Sequence, residues 1–200
     1  SMKSNVGSDL IFDNIKTAVI EYKADTKINV TVDGDSTYPN ATVTITTNAD
    51  GNYTVKIGNT TKVVELKANT PTVVNVNGVT PGDNQVVNVT FNGTGAYSPA
   101  VNDTETINIK KATPLISDVN ATDSVYPDDV VVNITTDTPG TYTIKIGNTT
   151  KEVNLTAGNN TVNIPGVQIG KDQVINVTFN ETENYNPAVN DNAKVTVDKG

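Results

Sequence analysis

The chain nearly repeats itself at a spacing of 88 to 89 residues. YTVKIGNTTK at residues 53–62 reappears as YTIKIGNTTK at 142–151, identical at nine of ten positions. QVVNVTFN at 85–92 returns as QVINVTFN at 173–180, and PAVND at 99–103 returns unchanged at 187–191. Self-similarity at a fixed period is the signature of a chain assembled from copies of one unit, each closing its own core. The offset slips from 89 to 88 between the first two blocks, so the second copy loses one residue near Asn69-Thr70-Pro71, where a turn tolerates it. Carried backwards, the alignment matches Tyr38-Pro39 with Tyr126-Pro127 and Lys23-Ala24 with Lys111-Ala112. The units are therefore residues 23–111 and 112–200, preceded by a leader at 1–22.

Inside each unit apolar residues alternate with polar ones, the period of a half-buried strand. In the first copy the inward sets are Ile28, Val30 and Val32; Val43 and Ile45; Tyr53, Val55 and Ile57; Val64 and Leu66; Val74 and Val76; Val87, Val89 and Phe91; and Ile107 and Ile109. That makes seven strands, separated by Gly, Asn, Asp and Pro. Composition agrees: 29 Val and 15 Ile stand against 4 Leu, with 32 Thr and 28 Asn, a mixture suited to pleated surfaces and poor for helices. Gly58-Asn59 between two alternating runs reads as a hairpin turn, repeated at Gly147-Asn148. Seven short strands in just under 90 residues predict an all-β chain of two tandem immunoglobulin-like β-sandwich modules. A small closed barrel fits the strand count less naturally.

The leader allows two readings. Ile11, Ile15, Val19 and Tyr22 fit a helical stripe that Ser8 could cap. Residues 17–22 also align with 106–110 as the last strand of a preceding module, and this strand reading is preferred. Ser1-Met2-Lys3 has the look of a cloning remnant, so targeting signals are not to be sought there.

The chain has no Cys, His, Trp or Arg. Thiolate and imidazole metal sites, Cys/His and Ser/His/Asp nucleophiles, disulfides and guanidinium clamps all need one of those residues. Carboxylates are plentiful, but none is placed in an apolar setting that would tune it for acid–base work. A non-enzymatic protein is expected, with no cofactor. A net charge of −8 repels nucleic acid and anionic lipid, and no apolar run is long enough to enter a membrane as a helix.

The remaining candidates are binding and modification sites. Six of the seven Tyr fall in matched pairs (38/126, 53/142, 97/185), which marks them as scaffold. Tyr97 and Tyr185, after the sixth strand, are expected to bury their rings at the sandwich edge and bond through the hydroxyl. Asn-X-Ser/Thr sequons number 14, where random pairing of these Asn with Ser and Thr would give about five or six. Strand sequons such as Asn88 and Asn176 follow from polar faces alternating with Val. Those at turns, Asn59, Asn92, Asn148 and Asn180, are the candidate glycan attachment sites. Acidic residues cluster at the expected unit ends, with Asp33, Asp35 and Asp103 the candidate ligands of a calcium ion between units. Their spacing lacks a full calcium-loop signature, so solvated turns are the preferred reading. Lys62 and Lys151 share inward parity with Leu66 and Leu155, as an intramolecular Lys-Asn or Lys-Asp isopeptide bond would need. Ala193 replaces Glu105 in the second copy, however, and a lysine lying along the rim is the default.

VNVTFNGTGAYSPAVNDTETINI at residues 87–109 resembles the final two strands of the Ig-like repeats of large bacterial and archaeal surface proteins. Tyr38-Pro39, Tyr126-Pro127 and the Thr113-Pro114 entry of the second unit are similar to that family too. The Asn/Thr/Asp-rich, arginine-free composition is closest to the adhesin-like proteins of methanogenic archaea. The resemblance covers both units but not the leader, and describes a scaffold. It implies a cell-surface, extracellular stalk repeat that holds a distal adhesive region, flanked by further repeats of the same chain, monomeric and without catalytic residues. The alternative is an adhesion module that binds a glycan or protein through its loops. Such a site should make one copy's loops depart from the other's in aromatic or charged content, and the loops differ little.

Overall fold

Alternation at period two becomes sixteen extended strands in the described residues, 22–200 of a computed structural model. In the first copy the strands are β1 (Ile28–Thr31), β2 (Ser36–Thr37), β3 (Thr42–Thr47), β4 (Gly51–Ile57), β5 (Thr60–Leu66), β6 (Thr72–Asn75), β7 (Gly82–Phe91) and β8 (Ala100–Lys110). The second copy repeats them as β9 (Ile116–Ala121), β10 (Ser124–Val125), β11 (Val130–Thr136), β12 (Gly140–Ile146), β13 (Thr149–Leu155), β14 (Gly158–Ile164), β15 (Gly170–Phe179) and β16 (Ala188–Asp198). Each copy has a three-stranded sheet, β1-β3-β6 or β9-β11-β14, facing a five-stranded sheet, β2-β8-β7-β4-β5 or β10-β16-β15-β12-β13. Each unit is an immunoglobulin-like β-sandwich. The leader readings lie outside the described residues, apart from an exposed Tyr22.

The inward sets form the core. Val43, Ile45, Tyr53, Val55, Ile57, Val87, Val89, Ile107 and Ile109 are buried, with Ile28, Val32 and Val64 packed half-buried at its margin. Burial of so many Val and Ile side chains, each stabilising by roughly 1.5–3 kcal/mol, is the main force closing a unit. The second copy buries the matching set, from Val132 and Ile134 to Val195 and Val197. The strand missing from the sequence reading is the two-residue β2. The first strand leaves the small sheet at Asp33-Gly34, where Gly34 takes φ +76°, and re-forms parallel to β8. Two residues carry no periodicity, so pattern alone could not find it.

Registers explain the shifting offset. Val43 pairs with Val74, and Val132 with Val162. The second copy therefore gains one residue in the Asp128-Asp129 turn and loses one after Leu155. The shortened connection lets β14 run seven residues along β11, where β6 pairs four along β3. The Gly58-Asn59 hairpin has Gly58 at φ +58°, the first-position glycine that matches the twist of the flanking strands. Gly51 allows a close approach of another kind, since a Cβ there would lie 2.8 Å from Phe91 Cε1.

A sandwich has two open sides, and the same two side chains bridge them in each copy. On one side Asn102 Nδ2 on β8 donates to the Ile28 carbonyl on β1 at 2.7 Å, and Asn190 does the same to Ile116 at 2.9 Å. On the other, Lys62 Nζ reaches from β5 to the Asn75 carbonyl at the end of β6 (2.9 Å), and Lys151 reaches from β13 to Asn163 on β14 (2.8 Å). Each bond joins the two sheets where no backbone ladder can.

Candidate functional site

The structure distributes the sequence candidates instead of gathering them. Asp33 and Asp35 sit in the β1–β2 connection, where Asp35 accepts from Asn108 Nδ2 at 3.2 Å and lies 3.9 Å from Lys110 Nζ. Asp103 is on β8, seven residues before Lys110, which puts it roughly 20 Å along the strand from Asp35. Among the described residues no group of three or more acidic side chains comes close enough to hold a metal ion. Lys62 and Lys151, exposed at the rim, bond to backbone carbonyls. Asn59, Asn92, Asn148 and Asn180 are exposed and outside the strands.

The expectation for the tyrosine hydroxyls needs correction. Tyr97 and Tyr185 do pack half-buried against the edges of their cores. The fully buried, hydrogen-bonded hydroxyls belong instead to Tyr53 and Tyr142, which donate to the Ala49 and Thr138 carbonyls. Those two rings start inside a strand and must cross the core, so their polar ends find partners in the β3–β4 and β11–β12 turns. Burial raises the pKa of both above the ordinary tyrosine value, against a lowering by the Thr47 and Thr136 side chains.

Tyr185 has a different partner. Its ring meets that of Tyr38 from the other unit edge to face, centroids 5.5 Å apart and planes at 82°. Phe179 stands edge-on behind it at 5.8 Å, and Tyr142 lies 5.1 Å behind Phe179. An aromatic file thus runs from the core of the second unit to the end of the first. Edge-to-face pairs of this kind contribute about 0.5–1.5 kcal/mol beyond their buried area. Burial, and to a lesser degree Tyr38 and Asp137, raise the Tyr185 pKa. Beside the contact, Pro81, Gly82 and Asp83 of the first unit and Glu181 and Asn186 of the second line a shallow recess crossed by Lys110 and Lys111. Its charges are matched on each side: Lys110 pairs with Asp83 at 3.6 Å and Lys111 with Glu181 at 2.8 Å. Sequence comparison pairs Tyr38 with Tyr126 and Tyr185 with Tyr97, but contains nothing that brings Tyr38 to Tyr185.

A second feature is a cleft of about 340 Å³ in the second unit, lined by Glu152, Phe179, Asn180, Glu181, Asn184 and Tyr185 among others. Here the two copies do depart from one another. The loop Asn180-Glu181-Thr182-Glu183-Asn184 replaces Asn92-Gly93-Thr94-Gly95-Ala96, and Glu152 replaces Val63. The expectation that the loops differ little does not hold here; the close match of the flanking strands masks the change.

No family model matches the chain, and no curated protein matches it significantly. Among solved structures it is similar to the chicken CNTN1 FN1–FN3 domains, at 12% identity over 89% of this chain and 68% of that one, with a TM-score of 0.33. A superposition at that level adds nothing to what the strand order already establishes.

Proposed function

We propose that the two sandwiches are spacer modules of an extracellular surface protein, set in a row to hold a binding region away from the cell. The observation that carries this reading is the separation of the cores. Every strand ladder and each hydrophobic cluster closes within one copy, and the copies meet through Tyr38, Tyr185 and a polar rim. Units built in this way can be added end to end without redesign of their interiors. The resemblance of residues 87–109 to bacterial and archaeal surface repeats supports the same reading, as does the excess of sequons. Residues 23–111 and 112–200 are the proposed module boundaries.

The second reading, a module that binds a glycan or protein through its loops, is favoured by one feature only, the acidic cleft at Glu152 and Glu181. Glu181 is already paired with Lys111, which leaves Glu152 as the one carboxylate of the cleft without an ion pair among the described residues.

Small-angle scattering tests the spacer reading. Two sandwiches in a row give a two-lobed particle with a radius of gyration well above the roughly 16 Å of a compact chain of this length. A compact profile would sink it.

A further inference from the structure

The joint between the two units has a counterpart that the internal repeat leaves open. Tyr38 precedes a cis Pro39 and its backbone N–H donates to the Lys110 carbonyl at 2.8 Å; Tyr126 precedes a cis Pro127 and donates to Asp198 at 2.9 Å. β2 and β10 lie parallel to β8 and β16 in the same register. Tyr126 is therefore presented by the end of the second unit as Tyr38 is by the end of the first. Tyr38 is half-buried under Tyr185, whereas Tyr126 is 40% exposed.

The surroundings repeat with one change. At the joint Tyr38 is flanked by Thr37 and Pro81; the matching positions of the second unit are Val125 and Ile169, 47% and 53% exposed. These three apolar side chains flank the end of β16, since Val125 pairs with Asp198 and Ile169 adjoins Gly170, which pairs with Val197. Charge is exchanged but kept in balance: Asp83 and Lys110 of the first unit become Lys171 and Asp198. An end more apolar than its partnered equivalent is suited to being covered.

We infer that Val125, Tyr126 and Ile169 form a docking surface for the Tyr97- or Tyr185-bearing end of another unit of this type, in the geometry of the Tyr38–Tyr185 joint. The inference rests on the spacer reading and adds to it a specific joint. A contact this small holds when the two units are tethered, because tethering supplies an effective concentration in the millimolar range. The recurring joint would make a row of units a semi-rigid rod in place of beads on a flexible string.

The test extends the 200-residue chain by appending residues 25–111 after Gly200, so that Lys199 and Gly200 stand where Lys23 and Ala24 stand in the first unit. Tyrosine nitration by tetranitromethane is then followed peptide by peptide, with the 86%-exposed Tyr22 as reference. In the unextended chain Tyr126 should react several-fold faster than Tyr38. In the extended chain it should slow to the rate that Tyr38 shows in the unextended chain, and Tyr97→Ala in the appended segment should restore it. Unchanged Tyr126 reactivity on extension overturns the inference while Tyr38 protection leaves the internal joint standing. If Tyr38 itself reacts like Tyr22, the joint and the inference fall together. Nitration of the Tyr53 peptide would betray an unfolded appended unit. In that case an extension built from residues 113–200, with Tyr126→Phe in the appended part to keep the peptides distinct, gives the deciding comparison.

Discussion

The hydroxyl of Tyr53 donates to the carbonyl oxygen of Ala49 across 2.7 Å, four residues back in the chain. Tyr142 makes the same bond to Thr138 at 2.7 Å. The setting differs, because Thr47 Oγ1 also donates to Ala49 at 3.0 Å, while Thr136 Oγ1 lies 3.5 Å from the Thr138 carbonyl and 2.6 Å from the Tyr142 hydroxyl. Tyr53→Phe leaves the Ala49 carbonyl one good donor and should cost about 1 kcal/mol. Tyr142→Phe leaves the Thr138 carbonyl only the long 3.5 Å contact from Thr136 Oγ1, which still accepts from the Thr138 backbone N–H at 3.2 Å, and should cost more, about 2 kcal/mol. Urea unfolding of the two variants checks the order; equal, negligible losses would mean that the hydroxyls are not holding the turns.

Val89 and Val177 are fully buried on β7 and β15, the middle strands of the five-stranded sheets. Replacing either by Asp places an unpaired charge in a sheet interior, at a cost of several kcal/mol, and should unfold its own unit. The other unit has a core of its own and should keep its transition. Calorimetry of each variant should thus lose one transition and retain one; melting within a few degrees of the parent would contradict the inward assignment.

Stability should be flat across neutral pH and fall in alkali. With no His and no Cys, no side chain has its ordinary pKa between the carboxylates and the Tyr and Lys range. Tyr53 and Tyr142 have folded-state pKa values raised by burial. The neutral phenol is thus preferred in the folded state, a contribution fully present below the unfolded tyrosine value of about 10 and lost as pH rises through the folded one. Melting temperatures measured from pH 6 to 11 should hold steady and then drop above about pH 10. A steep change near pH 7 would need a titrating side chain that this sequence does not have.

The sequons should separate by exposure. Asn59, Asn92, Asn148 and Asn180 are exposed and outside the strands. The Asn102 amide donates to Ile28, and its Oδ1 accepts from the Thr104 backbone at 3.0 Å, so a glycan there would break the bridge between the sheets. Expression in a glycosylating host, with glycopeptide mapping, should find occupancy at the four turn sites and none at Asn102 in folded protein. The reverse pattern would contradict this assignment of the turn sites.

The strands, their inward faces and the existence of two like units were legible because period-two alternation and an 88-to-89-residue repeat are local, countable properties of the chain. Val43, Val55, Val89 and Ile107 point inward wherever their strands are placed, since a pleated backbone leaves each side chain only two faces. Alternation says nothing of which strand lies next to which. The switch of the first strand from one sheet to the other, the bridges from Asn102 to Ile28 and from Lys62 to Asn75, and the burial of the Tyr53 and Tyr142 hydroxyls all depend on neighbours distant in sequence or on the depth of a core. Comparison of the copies set Tyr38 beside Tyr126 and Tyr185 beside Tyr97, because like positions align. Only the tertiary structure sets Tyr38 against Tyr185, because contact joins the end of one unit to the beginning of the next, and those are unlike positions.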